Sequence, residues 1–324
     1  MRTTTWGRAG LTVSRIAFGT WQLGGDRGVF AEDEAEAAIR RARELGVNTF
    51  DTAQAYGFGA SERLLGSVLR DELRSNRDEL VNAGKGGLRR TDTGVTREAG
   101  PRALREGVDA SPTALGVDHI DLHQVHWPAP KVRFADTAGA QKELVDSGKI
   151  RHVGVSNFNA EQMARFSEVL PVKTPQPPYH LFRREIEDTV LPHTRQQDIG
   201  VLVHGPLAHG LLTGTFTEET VFPAGNWRSR SGVFEGETYR RNLTVVREPE
   251  SFAASRAMTI SQSAISWTLA HSDVHVAIVG TRHVGHVEDS LAAVDITLGD
   301  TDLKEIDSIM AAATPVAGPS RESV

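Results

Sequence analysis

Short β-type runs alternate with helical patterns along nearly the whole chain, and this alternation restricts the possible folds more than any other feature. The strand candidates are residues 15–19, 47–51, 79–84, 119–126, 150–156, 174–176, 200–204 and 274–280. Between them lie amphipathic segments at 33–45, 61–69, 96–115, 134–147, 160–170 and 186–197. Asp33 and Thr96 stand where helix N-caps belong, and Gly46 and Gly148 where C-caps belong. Strands separated by helices imply parallel βαβ units. A (β/α)8 TIM barrel accounts for eight such units in about the 324 residues present. A doubly wound sheet would need a Gly-rich first turn, and the nearest match, Gly57-Phe58-Gly59-Ala60-Ser61-Glu62, lacks the third Gly and comes too late in its loop. We therefore expect one barrel domain over residues 1–324.

Gly7 and Gly10 flank a short polar turn, so the chain is expected to open with a β-hairpin that plugs the barrel bottom. Residues 213–249 show little periodicity and are broken by Pro223, Gly225, Gly232 and Gly236, which predicts a long lid loop after the seventh strand. The tail at 313–324 reads as disordered.

Composition removes several functions. The net charge is −6 with basic residues interspersed, so there is no nucleic-acid footprint. No Cys is present, which excludes disulfides, thiol catalysis and thiolate metal sites. No apolar run approaches a membrane span and no secretory signal opens the chain, so a soluble cytoplasmic protein is expected. Oligomeric state is open.

In a parallel barrel the site is built from the C-terminal strand ends and the loops that follow them. The second strand ends at Asp51 with Tyr56 in its loop, the third at Lys85 and the fourth at His126. The fifth ends in Ser156-Asn157 and the sixth at Gln176, while the eighth leads into Gly280-Thr281-Arg282. A phenol titrates near pH 10 when unperturbed, so Tyr56 needs help to act as an acid at neutral pH. A Lys85 cation beside it would favour phenolate, Asp51 would hold the lysine, and His126 would donate a hydrogen bond to a bound carbonyl. Together these groups would protonate a carbonyl oxygen while a hydride from a cofactor attacks the carbon. Taken singly, Asp51 is commoner as a turn residue, Lys85 as a solvated charge and Tyr56 as packing. Their joint spacing reverses those readings.

At these residues the chain resembles the aldo-keto reductase family, closest to its bacterial branch. The matching stretches are FGTWQLGG (18–25), FDTAQAYGFGASERLLG (50–66), DLHQVHWP (121–128), GKIRHVGVSNF (148–158), QPPY (176–179), IGVLVHGPLAHGLLTG (199–214) and VAIVGTRHVGHVEDSLAA (276–293). The resemblance implies a catalytic tetrad of Asp51, Tyr56, Lys85 and His126, with Tyr56 as proton donor to a small-molecule aldehyde or ketone. It also implies an extended NADP(H), with NAD(H) possible, lying across the barrel mouth. Gly19, Thr20 and Trp21 would border this cofactor, and Ser156, Asn157 and Gln176 would bind its carboxamide. His204 and Gly205 would face the nicotinamide, and Leu207 and Gly210 the pyrophosphate. Gly280, Thr281, Arg282, His286, Asp289 and Ser290 would hold the adenosine and 2′-phosphate. Three positions depart from the family pattern. Gly84 replaces Thr or Ser, His204-Gly205 replaces Tyr-Ser, and His286 stands where relatives often carry Arg or Gln.

Trp21, Trp127 and Trp227 are candidates for the substrate pocket, with ordinary packing as the competing reading, while Trp6 and Trp267 read as structural. Arg228 and Arg230 read as solvated lid charges rather than phosphate ligands. His119 and His123 share a strand face but lie roughly 13 Å apart at about 3.3 Å per residue, and His126 faces the other way, so no metal is expected. Two other functions fit the same barrel: a cofactor-binding regulatory subunit without physiological turnover, and a Schiff-base aldolase with Lys85 as nucleophile.

Overall fold

Among the described residues, the expected strands pair in parallel into one eight-stranded sheet. The structure is a computed structural model and describes residues 1–25, 30–92, 94–224 and 226–316. A hairpin of β1 (Thr3–Thr5) and β2 (Thr12–Ser14) opens the chain. Barrel strands β3 (Ile16–Gly19), β4 (Thr49–Asp51) and β5 (Val81–Gly86) follow, and then a second antiparallel hairpin, β6 (Leu88–Thr91) and β7 (Gly94–Arg97). The remaining barrel strands are β8 (Ile120–Val125), β9 (Ile150–Ser156), β10 (Thr174–Gln176), β11 (Leu202–His204) and β12 (Val276–Val279). The sheet closes between β10 and β11, where the His204 N–H donates to Pro177 O at 3.1 Å and the Tyr179 N–H to His204 O at 3.1 Å.

The helices are α1 (Glu32–Glu44), α2 (Ala60–Val68), α3 (Arg70–Ser75), α4 (Pro101–Leu115), α5 (Phe134–Asp146) and α6 (Ala160–Ser167). They continue with α7 (Val190–Gln196), α8 (Gly236–Ser255), α9 (Ile260–Ala270), α10 (Val284–Ala292) and α11 (Asp300–Met310). Their apolar stripes face the sheet, as α1 shows by burying Ala35, Ala38, Ile39 and Ala42 at i, i+3, i+4 and i+7. No helix among the described residues is long and apolar enough to cross a membrane. The first hairpin does plug the barrel: Trp6 is fully buried in an inner cluster with Val13, Ala17, Val81, Leu122, Leu202 and Val276.

Several local expectations are corrected. Asp33 lies inside the first turn of α1, where its charge suits the helix dipole, and Ala31 occupies the N-cap. Thr96 belongs to β7, and α4 begins at Pro101, whose fixed φ suits a first helical position. Gly46 and Gly148 do terminate their helices, with φ of +90° and +73°. The aperiodic segment is loop only in its first part, because α8 starts at Gly236. This helix buries Tyr239, Asn242, Val245, Val246, Pro249 and Phe252, so a polar amide and a proline on the apolar stripe hide its period. Gly225 lies outside the described residues. The expected tail disorder fails as far as Val316, which is buried with its N–H donating to Phe182 O at 3.0 Å. Residues 317–324 lie outside the described residues.

Candidate active site

Strand alternation places the site. Ala83 on β5 and Leu122 on β8 belong to the inner cluster, so Lys85 and Gln124, two residues further along, also point inward. Register sets Asp51 at the mouth between Gly19 and Ala83. The loop after β4 turns through Gly57, Phe58 and Gly59, all with positive φ, and this tight reversal holds Tyr56 over the barrel.

The Lys85 ammonium spends its donors on three acceptors: Asp51 Oδ2 at 2.6 Å, Thr52 O at 3.1 Å and Tyr56 Oη at 3.2 Å. The other Asp51 oxygen accepts from Gln176 Nε2 at 2.7 Å. Burial would lower the lysine pKa, but the Asp51 carboxylate and the Tyr56 phenol outweigh it and raise the value, so Lys85 is a cation. Burial raises the Asp51 carboxyl, opposed by Lys85, Gln176 and Gln124. The His126 ring stands edge-on to Tyr56, centroids 5.8 Å apart. Burial, then Lys85, then His204 hold His126 well below the usual imidazole range, so it is neutral. Its Nδ1 is buried without a hydrogen-bond partner among the described residues. The four groups expected to act together are therefore in contact around one point.

Of the expected cofactor residues, Gly19, Ser156, Gln176 and His204 end barrel strands β3, β9, β10 and β11, while His286, Asp289 and Ser290 lie on α10. A Cβ at Gly280 would lie 2.6 Å from Gly19 O, so β3 and β12 approach too closely there for a side chain. Thr20 accepts from Ser61 Oγ at 2.7 Å, and the Trp21 ring lies 6.5 Å from Tyr56. Asn157 donates to His126 O at 3.0 Å and to Ser156 Oγ at 3.1 Å, and Ser156 in turn donates to Gln176 O at 3.0 Å. His204 ends β11, and burial, then Lys85 and Arg183, push its pKa down to about 3. After Gly205 and Leu207 the chain takes positive φ at Ala208 (+47°), His209 (+59°) and Gly210 (+103°), a strained run for residues with side chains. Arg282 lies over the Phe30 ring at 5.3 Å, and its Nη1 is buried without a hydrogen-bond partner among the described residues. His286 is exposed, with Nδ1 3.4 Å from Thr281 Oγ1. Ser290 is buried, and Asp289 accepts from Thr259 and Gln262 of α9, which ties its carboxylate to that helix.

Two expectations about aromatic and basic residues change. Trp227 is 4% exposed and packs against His209 and Phe234 rather than lining an open pocket. Arg228 is not solvated. It lies among Phe216, Phe222, Trp227 and Phe234 and donates to His209 O from both Nε (2.8 Å) and Nη2. Trp127 does stay at the mouth, beneath the Arg97 guanidinium. The sequence reading missed Gln124, which alternation on β8 from His126 would have found. It also missed His180, 1% exposed with neither ring nitrogen hydrogen-bonded among the described residues.

A carboxylate, a buried lysine, a tyrosine and a neutral histidine at one end of a (β/α)8 barrel define a class of oxidoreductase. A sequence model of the Aldo/keto reductase family matches residues 15–311. The chain is 37% identical to the aldo-keto reductase YhdN of Bacillus subtilis, covering 97% of both proteins. It is 30% identical to the NADH-specific methylglyoxal reductase of Escherichia coli, covering 91% of this chain and 94% of that one. The glycerol dehydrogenase AKR11B4 from Gluconobacter oxydans superposes with a TM-score of 0.85 at 35% identity, covering 95% of this chain and 94% of that structure. The chain belongs to the aldo-keto reductase family, an oxidoreductase family acting on carbonyl compounds with nicotinamide cofactors.

Proposed function

We propose that this protein is an NADPH-dependent reductase of small aldehydes or ketones, with Tyr56 as proton donor. The carrying observation is the Lys85 ammonium shared between Asp51 Oδ2 and Tyr56 Oη. Because Lys85 donates to the phenol oxygen, the phenol proton is left to point toward a bound carbonyl. As that proton moves to the carbonyl oxygen, the ammonium stabilises the charge developing on Tyr56. Neutral His126 offers one N–H to the same oxygen and orients it. A reduced nicotinamide supplies the hydride to the carbonyl carbon when bound.

The residues suit such a cofactor. The amide oxygens of Asn157 and Gln176 are acceptors for a carboxamide, since both amide nitrogens are already committed. The buried Arg282 Nη1, without a partner among the described residues, belongs to a cation placed for a phosphate, and it favours NADP(H) over NAD(H). The aldolase reading is disfavoured, because a lysine held as a cation by Asp51 is a poor nucleophile.

A carbonyl panel followed by NADPH absorbance, repeated with NADH, tests the activity. Tyr56→Phe should bind cofactor normally yet lose about 10²–10⁴-fold in kcat. Unchanged turnover would remove the proton-donor role. Normal cofactor binding with no turnover of any carbonyl by the unmodified protein would favour a regulatory subunit.

A further inference from the structure

Beneath the site the barrel interior is apolar: Ala83 on β5, Leu122 on β8 and Leu202 on β11 belong to the inner cluster. Gln124, two residues beyond Leu122 and on the same inward face, breaks that pattern. It is 0% exposed, and its Nε2 has no hydrogen-bond partner among the described residues. A leucine of similar volume would avoid the cost of burying that amide.

Register sets Gln124 between Lys85 on β5 and Gly154 on β9. Gly154 carries no side chain, and a Cβ there would lie 3.0 Å from Gln124 Cγ, so the stem of the amide is closely confined on that side. Gln124 Oε1 accepts from Gln176 Nε2 at 3.4 Å, while the same nitrogen donates to Asp51 Oδ1 at 2.7 Å. A primary amide has two N–H donors, and Gln176 gives one to each acceptor. The oxygen is then the atom of the Gln176 amide that remains for a ligand. With an apolar residue at 124, the second Gln176 proton would be buried without this acceptor. The amide would relieve that by turning about its terminal torsion, which is soft, and its oxygen would turn with it.

We propose that Gln124 is a positioning residue for the cofactor: by holding the second amide proton of Gln176, it fixes the Gln176 oxygen as the acceptor for a nicotinamide carboxamide. This rests on the nicotinamide-linked reductase reading above and adds a residue to that site.

The test is a binding measurement and needs no turnover. NADP+ is compared with its 3-acetylpyridine analogue, whose methyl ketone has no N–H to donate, by titration of protein fluorescence. The unmodified protein should bind NADP+ about three- to tenfold more tightly, the worth of one hydrogen bond. Gln124→Met, similar in volume but without this acceptor, should weaken NADP+ by about that factor and leave the analogue nearly unchanged. Gln124→Leu takes its place if the methionine variant does not fold. Gln124→Glu keeps an acceptor oxygen in either protonation state and should keep the difference. Adding Gln124→Met to Gln176→Met should weaken NADP+ no further, because both residues act through one oxygen. Equal weakening of both dinucleotides, as from a merely structural role, overturns the inference. So does a difference that survives Gln124→Met or vanishes in Gln124→Glu, a further loss in the double variant, or equal binding of the two by the unmodified protein. Each of these leaves the reductase reading intact, whereas binding of neither dinucleotide overturns both.

Discussion

Gln176 donates its side-chain amide to Asp51 Oδ1 at 2.7 Å, so the buried carboxylate is held on the side opposite Lys85. Removing either donor leaves charge behind in the barrel, by different amounts. Gln176→Met should cost about 1.5–3 kcal/mol, the range for a hydrogen bond to a charged group. Lys85→Met leaves Asp51 without its counter-ion and should cost more, about 3–5 kcal/mol. Urea unfolding of both variants checks the order, and an unchanged stability in Gln176→Met would mean that Gln176 does not support the carboxylate.

Arg228 joins the segment before α8 to the strained turn at Ala208 and His209. Burial pushes its guanidinium pKa down to about 10, and its donors converge on one carbonyl, that of His209. Arg228→Met keeps the packing among the rings but frees that carbonyl, so the positive-φ turn can relax. If the turn holds the pyrophosphate, the Kd for NADPH, read by protein fluorescence, should rise about tenfold. An unchanged Kd would separate this contact from cofactor binding.

Arg282 has a buried donor without a partner among the described residues, and its proposed ligand is the 2′-phosphate. Arg282→Ala should weaken NADPH binding by about 10–100-fold and leave NADH binding nearly as it was. Equal losses for both dinucleotides would move Arg282 away from the 2′-phosphate.

Buried histidines should make the fold acid-sensitive. Burial lowers His123 to about 4, and lowers His180 and His204 to about 3. Unfolded histidine titrates near pH 6.5, so between that value and the lowered one the unfolded chain binds more protons, and stability falls as pH falls. Above about pH 6.5 this contribution is flat. Each histidine adds about 1.4 kcal/mol per pH unit inside the window. Urea unfolding from pH 7 to 5 should show the slope, and His123→Asn should reduce it by about that amount. A slope unaltered in the variant would assign the acid sensitivity elsewhere.

How far the sequence could be read varied from element to element, for physical reasons. Asp51, Lys85 and His126 could be found because a barrel strand shows its polar end as a break in an apolar run. The β6–β7 hairpin is hidden because its two four-residue strands are largely exposed and carry no apolar run, and only Gly94 signals a turn. In α8, Asn242 and Pro249 occupy positions that an apolar stripe would normally fill. The Gln176–Asp51 bond joins residues 125 apart in the chain, which no local pattern encodes. Trp227 was misplaced for a related reason, since an aromatic in a loop carries no sign of whether its neighbours leave it open.

The Trp6 plug also bears on how the chain is made. Its inner cluster draws on Val81, Leu122, Leu202 and Val276, and Gly200 approaches so closely that a Cβ there would lie 2.2 Å from the indole. The indole leaves the ribosome long before Val276, the last of these walls of its socket. At about 5–20 residues per second it waits on the order of tens of seconds. During that interval the nascent chain displays a naked tryptophan, the kind of surface that chaperones bind.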